Sequence, residues 1–174
     1  MRLTREEDAP AIETLIRISA RVLQSSRYSE AQIEGAIASV FGVDRQLISD
    51  GTYFIAEHKQ EIVGCGGWSR RKTLFGSDAM KTGLDTELDP KHDSARIRAF
   101  FIHPAWARRG IGREILQHCE KAIQLASFRS VELVATLTGV PFYRACNYSQ
   151  GERFEVPLSN GLTLPVVRMV KRFR

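Results

Sequence analysis

Two glycines and three arginines stand close together near the middle of the chain, in a pattern that favours binding of a phosphate group. The segment HPAWARRGIGREIL, residues 103–116, contains Gly110 and Gly112 beside Arg108, Arg109 and Arg113. Glycine lets an anion approach the backbone, and arginine donates charge-assisted hydrogen bonds. A helix that begins here would add N–H groups that have no intrahelical partner. The segment therefore predicts a pyrophosphate site, although such a glycine pair can also serve only a tight turn.

Two familiar phosphate-binding motifs do not match this segment. No glycine in it is followed by lysine and then by serine or threonine, as a Walker loop requires. A dinucleotide-binding fingerprint would need a third glycine where Ile115 stands. The ligand must therefore be inferred from the elements around the segment.

The segment lies between a predicted central strand and a predicted amphipathic helix. ARIRAFFIH, residues 95–103, changes from an alternating to a continuously apolar pattern, which is typical of a buried strand. Apolar residues from Ile111 to Ala126 then follow at helical spacing. This order places the glycines at the beginning of the helix.

The rest of the chain predicts helices before this unit and strands on both sides of it. The predicted elements are a helix from Asp8 to Leu23, a helix from Ser29 that Gly42 ends, a helical turn at 45–49, a hairpin from Thr52, a strand at 130–136, a short helix at 140–145 and two strands joined by a turn at 159–161. This order predicts an α/β (α+β) fold around a mixed sheet. Pro165 cannot donate to a ladder and predicts an edge position for the last strand, where a second copy could pair.

A long polar connection, residues 69–93, separates the hairpin from the central strand. Connections of this length inside a compact domain are uncommon and often functional, so we predict a lid on the substrate side. Its first residues are basic, and Arg71 is a candidate for binding a carboxylate or phosphate of an acceptor. A solvated strand end explains the same residues equally well.

Composition limits the class of protein. The 174 residues predict a single domain, 1–174, and the net charge of +5 comes from basic residues scattered among acids, without the basic stripe typical of nucleic-acid binding. Three widely spaced cysteines fit neither a disulfide framework nor a metal site. The charged first residues fit neither a signal peptide nor a membrane span, so we expect a cytoplasmic protein without a membrane partner.

Three motifs in fixed order resemble the GNAT superfamily of acyl-CoA-dependent N-acyltransferases, over most of the chain. These motifs are FFIHPAW, ARRGIGR and, further on, FYRACNY at 142–148. The resemblance implies a mostly antiparallel central sheet flanked by helices, with acetyl-CoA as co-substrate. It also implies cofactor-binding roles for the backbone of Phe101, Ile102 and His103 against the pantetheine arm, and for Arg108, Arg109, Gly110, Ile111, Gly112 and Arg113 around the pyrophosphate.

The resemblance also implies a catalytic role for Tyr143, which matches the tyrosine that protonates the departing thiolate. An aromatic residue at this place is also a common core anchor. The chain departs from the family pattern at Ala107, where glutamine or arginine is usual, and at Thr136, where asparagine is often found.

The general base is not evident, because the central strand carries arginines where many relatives have a carboxylate. Glu57 and Asp93 are the nearest acids in the sequence, but solvated carboxylates are the more common explanation for such positions. A chain of water molecules is the alternative.

We therefore predict an acetyl-CoA-dependent N-acetyltransferase that acts on a primary amine of a small metabolite by direct attack. A protein or peptide acceptor, and a non-catalytic acyl-CoA-binding module, are the alternatives. We expect no nucleic-acid partner, and a homodimer is compatible with the family and with the predicted edge strand.

Overall fold

The computed structural model describes residues 1–80, 83 and 85–173, which form one sheet covered by helices on both faces. Its strands are β1 Arg2–Leu3, β2 Tyr53–His58, β3 Glu61–Ser69, β4 Ala95–Ile102, β5 Ser130–Thr136, β6 Ser149–Pro157 and β7 Thr163–Arg172. Its helices are α1 Ala9–Leu23, α2 Glu30–Ser39, α3 Arg45–Ser49, α4 Ile111–Leu125 and α5 Val140–Ala145. The predicted elements are thus present in the predicted order.

The seven strands follow the order β1-β2-β3-β4-β5-β7-β6. Only β4 and β5 run parallel, and every other neighbouring pair is antiparallel. This arrangement confirms the predicted mixed, mostly antiparallel sheet. The β2–β3 hairpin turns at Lys59 and Gln60, whose φ angles of 48° and 70° are those that a tight hairpin turn requires.

Alternate residues of the strands bury themselves in two separate cores. Helices α1 and α2 cover one face, where the fully buried Ile12 and Ile16 meet Tyr53 of β2. Helix α4 covers the other face with Ile115 and Ile123, both fully buried. Pro10 lies in the first turn of α1, where its missing N–H is not needed. None of the helices in the described residues is long and apolar enough to cross a membrane.

The central strands β4 and β5 pair over only two residues and then separate. Ala95 lies opposite Val131 and Arg96 opposite Glu132, and the described ladder between the two strands ends there. Glu132 is buried between the guanidinium groups of Arg96 and Arg168, which binds the strands together at this end. Beyond this point a gap opens between the two strands.

A bulge in β4 accompanies this separation. Cys65 pairs with Phe101 and Gly67 with Arg98, so that Gly66 alone faces two residues of β4. One of them, Ala99, has a φ angle of 51°, an uncommon conformation for a residue with a side chain. A Cβ atom on Gly66 would collide with the ring of Phe100, so a glycine is required beside the bulge.

The prediction that Pro165 marks an edge strand was wrong. Strand β7 lies between β5 and β6, and β6 is the strand at the edge. The ladder between β7 and β5 begins at Val166, so the missing N–H of Pro165 falls just outside it. Proline is tolerated here because β5 has already ended, and the sequence argument for a dimer through this strand is lost.

One tyrosine holds three segments together at the end of this ladder. The Tyr28 hydroxyl donates to the carbonyl of Pro165 at 2.6 Å and accepts from the amide of Leu137 at 2.8 Å. It thereby joins the turn after α1 to both β5 and β7. Burial raises the pKa of this phenol, which keeps it protonated as a donor.

We expect Tyr28→Phe to lower the free energy of unfolding by about 2 kcal/mol, because two buried backbone groups lose their partner. Urea denaturation measures this change. Ser25→Ala in the same turn removes an exposed hydroxyl and serves as the control, with an expected change below about 0.5 kcal/mol. Equal stability of the two variants would show that the tyrosine hydroxyl does not join these segments.

Candidate functional site

A cavity of about 1000 Å³ lies in the gap between β4 and β5. Its walls are residues 97–102 of β4 and 133–136 of β5, the end of α1, the beginning of α4, part of α5 and residues 74–76 of the long connection. Every element that the sequence predicted around the glycine-rich segment thus contributes to one site. The size is that of a pocket for a cofactor or substrate.

The wall formed by β4 offers backbone groups to a ligand. Its edge toward β5 has no strand partner in the described ladder after Arg96, so N–H and C=O groups there are available to an extended amide-bearing chain. Phe101 and Ile102 line the cavity, as predicted for the residues that pair with pantetheine. His103 does not line it; its amide donates to the Val63 carbonyl of β3 at 2.9 Å, and its Nδ1 accepts from the amide of Ala105 at 3.2 Å.

The glycine-rich segment forms a turn at the wall of the cavity. Arg108 and Gly110 both have left-handed φ angles, 61° and 89°, and α4 begins at the next residue, Ile111. Such turns at a helix N-terminus form concave anion sites. The space beside Gly112 leads toward the ring of Phe142, 3.5 Å from where a Cβ atom would lie.

The three arginines of this segment have different surroundings. Arg108 and Arg113 line the cavity. The Arg109 guanidinium instead lies 5.0 Å from the centroid of the Trp106 ring, which also meets the His58 ring at 4.5 Å. Arg109 therefore steadies the loop through its side chain, and only its backbone remains a candidate for phosphate binding. Ile111 packs against the core beside Gly64 and also offers only its backbone.

Tyr143 is both a core residue and part of the cavity wall. Its ring packs edge-on against Phe100, Phe142 and Tyr148 at centroid distances of 6.2, 5.0 and 5.6 Å. It is 8% exposed and lines the cavity. Burial raises the pKa of its phenol, so the hydroxyl stays protonated at neutral pH and remains a proton donor.

Uncharged polar residues from distant parts of the chain complete the cavity wall. Thr136 Oγ1 lies 3.1 Å from Thr138 Oγ1, and the Thr138 hydroxyl donates to the Gln24 side chain at the end of α1. All three line the cavity. In the sequence, Thr136 stands out only as a departure from the family pattern, and no local signal identifies Gln24 or Thr138.

Residues 74–76 of the long connection line the cavity, and a buried arginine fastens them. Arg98 of β4 has a side chain only 1% exposed, and its Nη2 lies 2.9 Å from the Asp44 carboxylate and donates to the Gly76 carbonyl at 2.7 Å. Burial lowers the pKa of this guanidinium, and the nearby carboxylates oppose that shift. On the outer side, Phe75 meets Phe154 of β6 at a centroid distance of 6.0 Å. The connection is therefore fastened to both the central strand and the edge strand.

The hypothesis that Arg71 binds the acceptor was wrong. Its Nε and Nη2 donate to the two Asp50 carboxylate oxygens at 2.7 and 2.8 Å, and its Nη1 donates to the Asp85 carbonyl at 3.0 Å. The bonds to Asp50 raise the pKa of Arg71 and lower that of Asp50. Arg71 thus secures the base of the long connection and does not line the cavity.

The two acids nearest in sequence to the central strand also lie elsewhere. Glu57 forms an ion pair with Arg2 at 2.7 Å, and Asp93 accepts a hydrogen bond from the amide of Asp89 at 2.8 Å. Neither lines the cavity. Their surroundings are those of structural carboxylates, in agreement with the more common explanation favoured above.

A family model described as "Acetyltransferase (GNAT) domain" matches residues 49–150. This range contains β3, the separated strands, the glycine-rich turn and Tyr143. The chain belongs to the GNAT acetyltransferase family. Members of this family transfer the acetyl group of acetyl-CoA to an acceptor, and acetyl-CoA is the co-substrate of this enzyme.

Solved GNAT structures share the fold over nearly the whole chain. A GCN5-related N-acetyltransferase from Rhodopseudomonas palustris has a TM-score of 0.73 at 21% identity, covering 99% of this chain and 94% of that one. The PaiA N-acetyltransferase from Thermoplasma acidophilum, in complex with coenzyme A, has a TM-score of 0.65 at 15% identity, covering 99% and 97%. A ribosomal-protein-alanine N-acetyltransferase from Brucella melitensis has a TM-score of 0.63 at 12% identity, covering 99% and 98%. No curated protein matches the chain by sequence.

The glycine-rich turn predicts how two substitutions at Gly112 change the affinity for acetyl-CoA. A glutamate at position 112 would place a carboxylate and its bulk where the phosphates are expected, so Gly112→Glu should weaken binding at least 100-fold. Gly112→Ala is the matched control, because its Cβ atom would make only ordinary contacts at 3.5 Å and beyond. Calorimetric titration measures both. Tight binding by Gly112→Glu would place the pyrophosphate elsewhere.

Proposed function

We propose that this GNAT enzyme acetylates a primary amine of a small metabolite, by direct attack of the amine on the thioester. The observation that carries the proposal is the fastening of residues 74–76 at the cavity wall by Arg98 on one side and by Phe154 on the other. A protein tail would require a groove open at both ends. A pocket bounded by a fastened segment favours a compact acceptor.

In this proposal the whole chain, 1–174, acts as one acyl-CoA N-acyltransferase domain. The backbone amides from Arg108 to Arg113 and the side chains of Arg108 and Arg113 bind the pyrophosphate. The pantetheine arm runs along β4 in the gap beside Phe101 and Ile102, with His103 ending that strand. Supporting this path are the unpaired edge of β4 and the left-handed turn at the beginning of α4.

The acetyl transfer requires stabilisation of the negative charge that develops on the thioester oxygen. Those backbone N–H groups of Phe100 to Ile102 that face away from β3 supply donors in fixed positions, and each such donor contributes about 3 kcal/mol in typical enzymes. The amine nitrogen forms a bond to the carbonyl carbon while the carbon–sulfur bond breaks. A thiol has a pKa of about 8.5, and Tyr143 supplies the proton that the departing thiolate accepts.

A direct attack is favoured over a cysteine intermediate. Burial raises the pKa of Cys65 to about 12 and also raises the pKa values of Cys119 and Cys146. A thiol held in its neutral form is a poor nucleophile. None of the three lines the cavity among the described residues.

The role of Tyr143 leads to a kinetic prediction. Tyr143→Phe keeps the packed ring and removes the proton donor, so kcat should fall about 100-fold, within the usual range for general acids. The dissociation constant of acetyl-CoA should stay within a factor of three. Tyr148→Phe is the control, since the Tyr148 hydroxyl binds Glu120 and does not line the cavity. Equal rates for the wild type and Tyr143→Phe would leave Tyr143 as a core anchor only.

The acceptor class is tested directly with a panel of small amines and short peptides. Each is incubated with enzyme and acetyl-CoA, thiol release is followed, and the acetylated product is identified by mass spectrometry. We expect small amines to give the higher kcat/KM. Faster transfer to peptides would support the protein-acetylating alternative. Tight acetyl-CoA binding without transfer to any amine would support the non-catalytic alternative.

A further inference from the structure

The charged groups of the cavity wall all have the same sign. The described lining carries four arginines and no aspartate, glutamate, histidine or lysine; the arginines are Arg27, Arg98, Arg108 and Arg113. The residues outside the described part, Lys81, Thr82, Leu84 and Arg174, add no carboxylate or imidazole. The cavity therefore lacks the carboxylate or imidazole that would accept a proton from an ammonium group.

The carboxylates just behind the wall are already bound to other groups. Glu13 forms an ion pair with Arg17 at 3.1 Å and accepts from the amide of Val43 at 3.3 Å. Asp44 is fully buried, lies 2.9 Å from Arg98 and accepts from the amide of Gln46. Their charges compensate other groups and do not reach the cavity surface.

An ammonium group would be unstable in such a cavity. An ammonium group there would be partly buried with no carboxylate in the described lining to pair with it, and burial without a counter-charge favours the neutral form of an amine. A neutral amine, by contrast, can donate hydrogen bonds to uncharged oxygens. Thr136, Thr138 and Gln24 supply such oxygens at the far end of β5, away from its pairing with β4.

We propose that the acceptor is a weakly basic primary amine that enters the cavity in its neutral form, as an arylamine or the amino group of an amino-acid amide does. Strongly basic alkylamines and polyamines are poor acceptors by the same argument. This inference rests on the acetyltransferase function proposed above, and it narrows the class of acceptor.

The proton balance of the transfer needs no base from the protein. The nitrogen lone pair attacks the carbonyl carbon, and the adduct nitrogen becomes positive. Its proton is then acidic enough to pass to water held at the Thr136 and Thr138 hydroxyls. The carbon–sulfur bond breaks, the thiolate takes a proton from Tyr143, and Tyr143 is reprotonated from solvent. The products are the N-acetyl amine and coenzyme A.

The expected difference in rate between amines follows from the fraction of each amine that is neutral. An α-amino group has a pKa of about 7.7 and a lysine-like amine about 10.4, so roughly one molecule in six and one in 2,500 are neutral at pH 7. The expected difference in the reactive fraction is about 400-fold. The greater intrinsic nucleophilicity of the stronger base offsets part of it.

The test is a series of primary amines of similar size, from an arylamine through amino-acid amides to an alkylamine. At saturating acetyl-CoA, kcat/KM is measured from pH 5.5 to 10 by thiol release. We expect each profile to rise tenfold per pH unit below the pKa of that amine and to be flat above it, so the arylamine profile is flat over this range and the alkylamine profile still rises at pH 10. Profiles that all level off at one pH, whatever the amine, would reveal a base on the enzyme and overturn the inference.

Two variants test whether a carboxylate outside the cavity lining acts as a general base. Glu13→Gln removes the charge behind the wall at Gly42 and should leave both the rate, within a factor of two, and the profile unchanged. Glu57→Gln serves as a matched control far from the cavity. A 100-fold loss in Glu13→Gln alone, with acetyl-CoA binding intact, would identify Glu13 as the base and contradict the inference.

Two different failures remain distinguishable in these measurements. Absence of acetyl-CoA binding, or of thiol release with every amine, would refute the proposed function itself. Normal acetyl-CoA binding with polyamines as the best acceptors at every pH would refute only the inference about basicity.

Discussion

The separation of β4 from β5 is the constraint on which the rest of the structure depends. Two parallel strands joined over only two residues leave backbone groups exposed that a continuous sheet would pair. Glu132, between two arginines, joins β4 to β5 and β7 at the paired end, and Tyr28 fixes the far end of β5 to β7 and to the turn after α1. The gap is bounded by backbone in fixed positions. The amide groups of a co-substrate can form hydrogen bonds to that backbone.

Buried charged side chains beside this gap have a structural role. Removing a guanidinium from water is costly unless a carboxylate and further acceptors surround it. Arg98 meets this condition through Asp44 and the Gly76 carbonyl, and in doing so it ties the long connection to the central strand. Arg71 does the same at the base of that connection through Asp50. Arg71, a candidate substrate ligand in the sequence, is therefore used to hold the long connection in place.

The electrostatics of the pocket and its packing are linked. The carboxylates near the cavity are bound by arginines or by backbone amides, so the surface that remains is positive or uncharged. A positive cavity suits the phosphates of coenzyme A at the beginning of α4. The same described lining offers no carboxylate to a cationic acceptor, which is the basis for the weakly basic acceptor proposed above. Tyr143 fits this setting because burial keeps its hydroxyl protonated.

The sequence by itself determined the elements and the glycine-rich turn, because helix spacing, caps, strand patterns and glycine spacing are local properties of the chain. Helices α3 and α5 and strand β5 lie within the predicted bounds for this reason. The tertiary structure alone decided the partners of long polar side chains. Arg71 bonds to Asp50, Arg109 stacks on Trp106, and Thr138 bonds to Gln24, and no local sequence pattern predicts these contacts. It also decided that Pro165 lies inside the sheet, because tolerance of proline there depends on where the neighbouring strand ends.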